Sequence, residues 1–279
     1  LPLWALCLCG SFVFGGTPRL AKVLPPGGQR GTTVEVDLTG RYLDDPKDVL
    51  FYEPGIAVEA IEVPTKAPNA NGVVTTVDPG TRVRVKLRIA ADCPLGPHGF
   101  RLRTATGVTE YVRFFVGPFP TVEEVEQVNK GPRNDKRETA TAVPANTTVL
   151  GRLNEAADVD VYRVDVKRGD RVSAEVEAAR LGVDRGIPDL FLTITDADGK
   201  KLAAADDSAL FVQDPVLSVL ADRDGAYFVE VRHSMYNGAG DVYRLHVGTF
   251  SRPTAVYPAG GPVGANLSVQ VLGDPKGPW

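Results

Sequence analysis

An all-β chain built from tandem β-sandwiches is predicted by three features of the sequence. Apolar and polar residues alternate with a period of two over many short runs, and no long stretch shows helical periodicity. Gly (29) and Pro (22) are abundant and gather between those runs as turn signals. From about 134 to 250 the alternating runs follow one another at the spacing of sandwich strands.

Taken in order, Leu1–Gly16 is apolar and uncharged, the pattern of the h-region of a secretory signal. It is shorter than the roughly 20 residues of a membrane span. Cleavage is expected near Gly15 or Gly16, small residues that suit it. The alternatives are a lipid anchor on Cys9 and a buried N-terminal strand. Residue 1 is Leu and the single Met is Met235, so the chain is expected to be a fragment. After signal removal no stretch is long and apolar enough to cross a membrane.

Residues 17–117 predict the first sandwich. Val34, Val36 and Leu38 alternate with polar neighbours. In Arg82-Val-Arg-Val-Lys-Leu-Arg-Ile89, Val83, Val85, Leu87 and Ile89 share one face. Arg82, Arg84, Lys86 and Arg88 share the other, which is expected to be a solvated face, with a contact for an acidic polymer as the alternative. Phe100 and Leu102, then Val112, Phe114 and Val116, continue the pattern. Residues 118–133 are polar and turn-rich and are assigned to a linker, with a short helix expected around 121–128.

The second sandwich, residues 134–250, is organised around Asp158-Val-Asp-Val-Tyr-Arg-Val-Asp-Val166. Its apolar parity changes once, from Val159 and Val161 to Tyr162, Val164 and Val166. Either a bulge near Tyr162 restores one buried face, or Val159 belongs to the preceding loop. Val172, Ala174, Val176 and Ala178 give a further strand, as do Leu190, Leu192 and Ile194. Tyr227, Val229 and Val231 give another, followed by Tyr243, Leu245 and Val247. Val216–Ala221 is apolar on both faces and is expected to be a central strand.

An internal repeat closes the chain. Pro25-Pro-Gly-Gly-Gln-Arg-Gly31 with Val34, Val36, Leu38 and Gly40 matches Pro258-Ala-Gly-Gly-Pro-Val-Gly264 with Leu267, Val269, Val271 and Gly273. The offset is constant, without a gap. Residues 251–279 are therefore expected to begin another domain of the first type, truncated at Trp279. A lone first strand leaves an open edge, so this tail should be poorly ordered or dock elsewhere.

The charge balance, 31 Lys+Arg against 35 Asp+Glu for a net −4, is mild and mixed. It speaks against a nucleic-acid binder, which presents a basic face. Cys7 and Cys9 fall in the signal and Cys93 is alone, so the mature chain is expected to form no internal disulfide. No H-E-x-x-H, G-x-S-x-G or phosphate-binding glycine loop is present. His233-Ser234 near Asp241 lacks a nucleophile signature. Asp196-Ala-Asp-Gly199 lacks the remaining oxygen ligands of an EF-hand and reads as a hairpin turn. Tyr227 and Tyr243 are expected in the core, and Tyr236 exposed.

Several of these motifs together resemble a known family. They are Asn134-Asp135, Gly151-Arg-Leu153, Asp158-Val-Asp-Val-Tyr-Arg-Val164, Asp189-Leu-Phe-Leu192, Gly225-Ala-Tyr-Phe-Val-Glu-Val231 and Tyr243-Arg-Leu-His-Val247. In order and spacing, residues 134–250 resemble the bacterial pre-peptidase C-terminal domain, which implies a jelly-roll-like sandwich. The Pro-Gly-Gly turn and strand pattern of residues 17–117, and its repeat at 251–279, resemble immunoglobulin-like domains of the IPT/TIG type.

The first resemblance also implies a metal. Some members of the family, notably modules of clostridial collagenases, bind calcium through acidic residues of the N-terminal linker and an aspartate-bearing loop. Here those positions are Glu124, Glu126 and Asn129 in the linker and Asp158 and Asp160 in the loop. Calcium takes six to eight oxygen ligands, so carboxylates converging from two segments suit it. The spacing departs from the family by an extra residue between Glu126 and Asn129 and by Lys130. The alternative is that Asp158 and Asp160 are turn and edge-strand residues, with the glutamates solvated.

The function expected is that of a non-catalytic accessory or binding region of a secreted, periplasmic or cell-surface bacterial protein. It would target or stabilise a neighbouring domain, an extracellular protein or a polysaccharide, without nucleic acid. The rival expectations are the accessory region of a secreted peptidase whose catalytic domain lies elsewhere, and a carbohydrate- or collagen-binding module.

Overall fold

The computed structural model describes residues 16–68, 73–125, 133–182, 187–211, 213–236 and 240–278. The expected signal, with Cys7 and Cys9, lies outside the described residues except for Gly16. Among the described residues, helix is confined to two single 3-10 turns, Arg137–Thr139 and Ala179–Leu181. None of their helices is long and apolar enough to cross a membrane.

The first sandwich contains β1 (Arg19–Leu24), β2 (Gly27–Gln29), β3 (Thr33–Arg41), β4 (Pro46–Phe51) and β5 (Ile56–Glu62). It continues with the ribbon β6 (Lys66–Pro68) and β7 (Val74–Thr76), then β8 (Arg82–Ile89), β9 (Gly96–Thr104) and β10 (Val112–Gly117). One sheet runs β1-β3-β8-β5 and the other β2-β10-β9-β4. Val83, Val85, Leu87 and Ile89 from the first meet Phe100, Leu102 and Phe114 from the second in one core. Each such side chain contributes about 1.5–3 kcal/mol when fully buried.

The cationic face of β8 is tied to its neighbours rather than simply solvated. Arg82 and Arg84 both bind Asp37 on β3, and Lys86 (3.3 Å) and Arg88 (3.2 Å) both bind Glu59 on β5. Burial alone would raise the Asp37 carboxyl, but the hydrogen bonds from Arg82 and Arg84 hold it below its usual value. Cross-strand pairs of this kind are worth roughly 0.2–1 kcal/mol each.

The second sandwich comprises β11 (Thr121–Glu123), β12 (Thr141–Ala142), β13 (Thr147–Leu153), β14 (Val159–Val166) and β15 (Arg171–Glu177). It is completed by β16 (Leu190–Asp196), β17 (Lys201–Ala205), β18 (Val216–Leu220), β19 (Gly225–His233) and β20 (Asp241–Gly248). The sheets run β11-β13-β20-β15-β18 and β12-β14-β19-β16-β17. Tyr162, Val164, Leu192, Ile194 and Val229 from the second of these share one core with Val149, Val172, Ala174, Val176 and Leu245 from the first.

Three expectations are corrected here. Thr121–Glu123 is a strand, paired in parallel with Thr148–Leu150 of β13, instead of the start of a helix. Residues 126–128 of that expected helix lie outside the described residues. β14 has no bulge: Val159–Val166 pairs with Arg232–Gly225 in one unbroken register. The change of parity arises because Asp160, fully buried, occupies a core-side position in line with Tyr162, Val164 and Val166. Val216–Leu220 is an edge strand, not a central one. Leu217 and Val219 pack on the core, while Ser218 hydrogen-bonds Ser173 at 2.7 Å.

A polar seam joins the two sandwiches. Arg244 on β20 is 1% exposed and donates to Glu177 on β15. A methyl group on Gly27 would lie 2.7 Å from the Arg244 guanidinium carbon and would overlap the Phe115 carbonyl oxygen. One on Gly117 would lie 3.1 Å from an Arg244 nitrogen. His246 Nε2 stands 3.3 Å from Glu177, and its Nδ1 stands 2.8 Å from the Thr148 hydroxyl. Phe119 stacks beside His246 and Phe250. Burial alone would raise the Glu177 carboxyl, but the Arg244 charge and the His246 contact bring it down to about 2. Gly27 of the first Gly-rich turn thus serves a close approach by a buried arginine.

The repeat is visible in the backbone. β21 (Ala255–Tyr257) pairs with β22 (Gln270–Leu272) as Ala255↔Leu272, Val256↔Val271 and Tyr257↔Gln270. β1 and β3 pair in the equivalent register, Lys22↔Thr39, Val23↔Leu38 and Leu24↔Asp37. Gly31 and Gly264 both take a positive φ, 80° and 81°. The tail docks on the second sandwich, where Asp274 accepts from Arg171 (2.8 Å) and Ser251 (2.6 Å). Gly260 is the counterpart of Gly27, but a methyl group there meets nothing within 4 Å. Gly27→Ala should therefore lower stability by about 1–3 kcal/mol in urea unfolding. Gly260→Ala should stay within about 0.5 kcal/mol of the parent.

Candidate functional site

The organising strand and the linker bring three expected site residues to one end of the second sandwich. Asp158 precedes β14 and Asp160 is its second residue; Glu124 directly follows β11. Glu126 and Asn129 lie outside the described residues.

Asp158 is committed to local structure. Its Oδ2 accepts from the Asn154 backbone at 2.5 Å, and its Oδ1 accepts from Val159 (3.1 Å) and Arg133 (3.3 Å). Arg133 also binds Asp135 and Glu155, clamping the linker to the turn before β14.

Asp160 and Glu124 are the ends of a chain of short hydrogen bonds. Glu124 Oε1 lies 2.6 Å from the Tyr162 hydroxyl, which lies 2.7 Å from the Tyr243 hydroxyl, which lies 2.6 Å from Asp160 Oδ2. Three oxygen–oxygen contacts of this length need three protons. The two tyrosines supply two. Glu124 also accepts from Asn134 Nδ2 (3.1 Å) and the Arg152 backbone N–H (2.9 Å). Tyr162 donates to Glu124, and Tyr243 donates to Asp160 while that carboxyl is ionised; a proton on Asp160 reverses the second bond and frees Tyr243 to donate to Tyr162, so that all three contacts are satisfied.

The electrostatics agree with this inventory. Burial is the largest influence on the Asp160 carboxyl, the Glu124 charge adds to it, and together they push it up to about 10. Tyr162 and Tyr243 are both raised well above the usual phenol value, first by burial and then by the Asp160 carboxyl. Two buried oxygens here have no hydrogen-bond partner, Asp160 Oδ1 and Asn134 Oδ1. Orphaned buried acceptors are uncommon and point to an absent cation or donor. These two side-chain oxygens, with Glu124 beside them, are chemically suited to calcium. Among the described residues no group of three or more His, Cys, Asp or Glu is arranged to hold a metal. The sequence pattern did not single out Asn134 as a ligand, although Asn134-Asp135 is among the family motifs.

Other candidate residues have structural roles. His233 Nδ1 accepts from the Met235 backbone, and Ser234 Oγ donates to Asp189 at 2.6 Å, so the two form no relay. Cys93 is buried, which raises its thiol. Asp196 Oδ1 accepts from the backbones of Asp198 and Lys200, closing the β16–β17 turn. Tyr227 and Tyr243 are core residues, and Tyr236 is 51% exposed, stacked on Arg232.

The proton on Asp160 gives a pH signature. Unfolded, the carboxyl would ionise at about 3.9; folded, it keeps its proton up to about 10. The folded state binds the extra proton, so its contribution is complete below about pH 4 and is lost as pH rises toward 10. Metal-free protein should lose up to about 1.4 kcal/mol per pH unit in that window. Asp160→Asn should flatten the slope in urea unfolding measured at pH 5, 6.5 and 8.

Known proteins resemble parts of the chain. Residues 158–233 match the model of the bacterial pre-peptidase C-terminal domain. A probable subtilase-type serine protease of Deinococcus radiodurans is 37% identical over 98 residues, 33% of this chain and 13% of that protein. The chain thus spans about an eighth of that relative's length. The pre-peptidase C-terminal domain of a Bacillus anthracis collagenase aligns with 43% of this chain and 99% of its own, at 20% identity and a TM-score of 0.31. The SGBP-B protein of a Bacteroides ovatus mixed-linkage glucan utilization locus, in complex with a mixed-linkage heptasaccharide, aligns with 82% of this chain and 73% of its own. Its identity is 9% and its TM-score 0.25. Residues 158–233, which run from the approach to β14 through β19, are thus the part of the second sandwich that is similar to the bacterial pre-peptidase C-terminal domain.

Proposed function

We propose that the chain is a non-catalytic accessory and binding region of a secreted or cell-surface bacterial protein. The observation that carries this reading is the family match over 158–233, since a pre-peptidase C-terminal domain is an accessory unit rather than a catalyst. The first sandwich and its partial repeat act as IPT/TIG-type spacers on either side. The likeness to a subtilase-type protease over a short part of that protein favours a peptidase as the parent of such a region. A carbohydrate- or collagen-binding role is the second reading.

Within this reading, calcium stabilises the sandwich by tying the linker to β14. Asp160, Asn134 and Glu124 supply oxygens, joined by Glu126 and Asn129; Asp158 shapes the turn that presents them. The support is the pair of orphaned buried oxygens. The ion would replace the Asp160 proton as the neutralising charge.

Incubation of the purified chain with casein and collagen should give no cleavage, and peptide-bond hydrolysis abolished by a point substitution would overturn the accessory reading. For the ion, millimolar calcium should raise Tm over the chelated protein, more at pH 8 than at pH 5. A ligand at about 100 times its Kd adds roughly 2.7 kcal/mol. Asp160→Asn should remove most of the gain; an unchanged midpoint in the parent discards the ion.

A further inference from the structure

The two sandwiches enclose a cleft of about 1080 Å³ at the end of the seam. All six residues of β1 line one wall, and β1 is the edge strand of its sheet. The opposite wall sets the apolar residues Leu181, Ile187, Pro188 and Val242 beside Arg152, His233 and Asp241. Ile187 is 65% exposed.

An edge strand facing a cleft offers backbone donors and acceptors in the pattern another strand needs. The cleft already contains one imitation of that pairing, since the Leu20 N–H donates to the Glu110 carboxylate at 2.9 Å. Arg19, Arg41 and Arg152 line the cleft, and each has no ion-pair partner among the described residues. Arg82, also in the lining, is occupied by Asp37. The acidic lining residues are Asp78, Glu110 and Asp241. Glu110 is engaged by Leu20, and burial raises the Asp241 carboxyl from its ordinary value.

No Phe, Tyr or Trp among the described residues lines this cleft. Sugar rings pack on such aromatic faces, so its composition does not suit a polysaccharide. A strand edge, apolar side chains on the facing wall and unpaired arginines together suit an extended polypeptide with alternating apolar and acidic residues.

We propose that the inter-sandwich cleft binds an extended acidic peptide segment by strand addition to β1. Backbone pairing along Arg19–Leu24 supplies affinity. Apolar side chains of the segment meet Leu181, Ile187 and Pro188, and its carboxylates meet Arg19, Arg41 and Arg152. This deepens the accessory-region reading and rests on it.

The test is fluorescence anisotropy of the full chain with a labelled acetyl-(Val-Glu)4-amide. A variant of that peptide N-methylated at alternate amides, which cannot pair as a strand, and an alginate oligosaccharide serve as the other probes. The parent peptide should bind saturably and more weakly at high salt. Arg41→Glu with Arg152→Glu should weaken it roughly tenfold or more. The N-methylated peptide should lose binding. Both arginines lie away from the cores, so an unchanged Tm in the double variant excludes misfolding. Equal binding of the N-methylated peptide, insensitivity to the double substitution, or no binding at all would overturn the proposal. So would alginate binding that displaces the peptide, which would make this an anionic-polymer cleft. Hydrolysis of the probe would instead strike at the accessory reading itself.

Discussion

A carboxyl group placed on the core side of a strand must be neutralised, and the second sandwich is arranged around that demand at Asp160. Ionised and unpaired, a carboxylate there would cost several kcal/mol in lost hydration. The structure meets the demand with a proton and two buried phenols that pass hydrogen bonds on to Glu124. The negative charge is thereby moved to the side chain that has backbone and amide donors to receive it. Tyr162 and Tyr243 belong to both the hydrocarbon core and this chain, so the core and the linker cannot be separated energetically.

The same arrangement ties residues 121–124 and Arg133 to the second sandwich. β11 pairs with β13, Glu124 receives the end of the hydrogen-bond chain, and Arg133 clamps the turn before β14. What composition presents as a polar connector is, at both ends, part of the second sandwich. The connector also passes Phe119 across the seam, next to the buried Glu177–Arg244 pair. Both partners of that pair belong to the second sandwich, so opening the junction would bring the pair into water rather than break it.

Much of the fold was legible because half-buried strands print a period of two. The alternation of β8, β16 and β19 reads directly into the cores. The internal repeat read from the Gly-rich turns reappears as one shared strand register. Legibility failed where a polar residue faces inward. Asp160 broke the parity of β14 and suggested a bulge, because alternation cannot tell a buried aspartate from an exposed one. β18 looked central because its residues are apolar on both faces, yet sheet order depends on distant pairing with β15. The helix expected near 121 lost to parallel pairing with β13, another non-local contact. The acidic candidates were legible as residue types, but their division of labour was not. Asp158 and Asp160 are two apart in sequence, yet one caps a turn with both oxygens while the other holds an orphaned one. Only the positions of Tyr162, Tyr243 and Asn134 separate them.

The intrusion of Arg244 between Gly27 and Gly117 has a mechanical corollary. A guanidinium seated against two glycine backbones works as a dowel. Swivelling one sandwich about the other would have to withdraw it into water or drive it into a carbonyl. The two sandwiches should therefore transmit tension and torque as one lever.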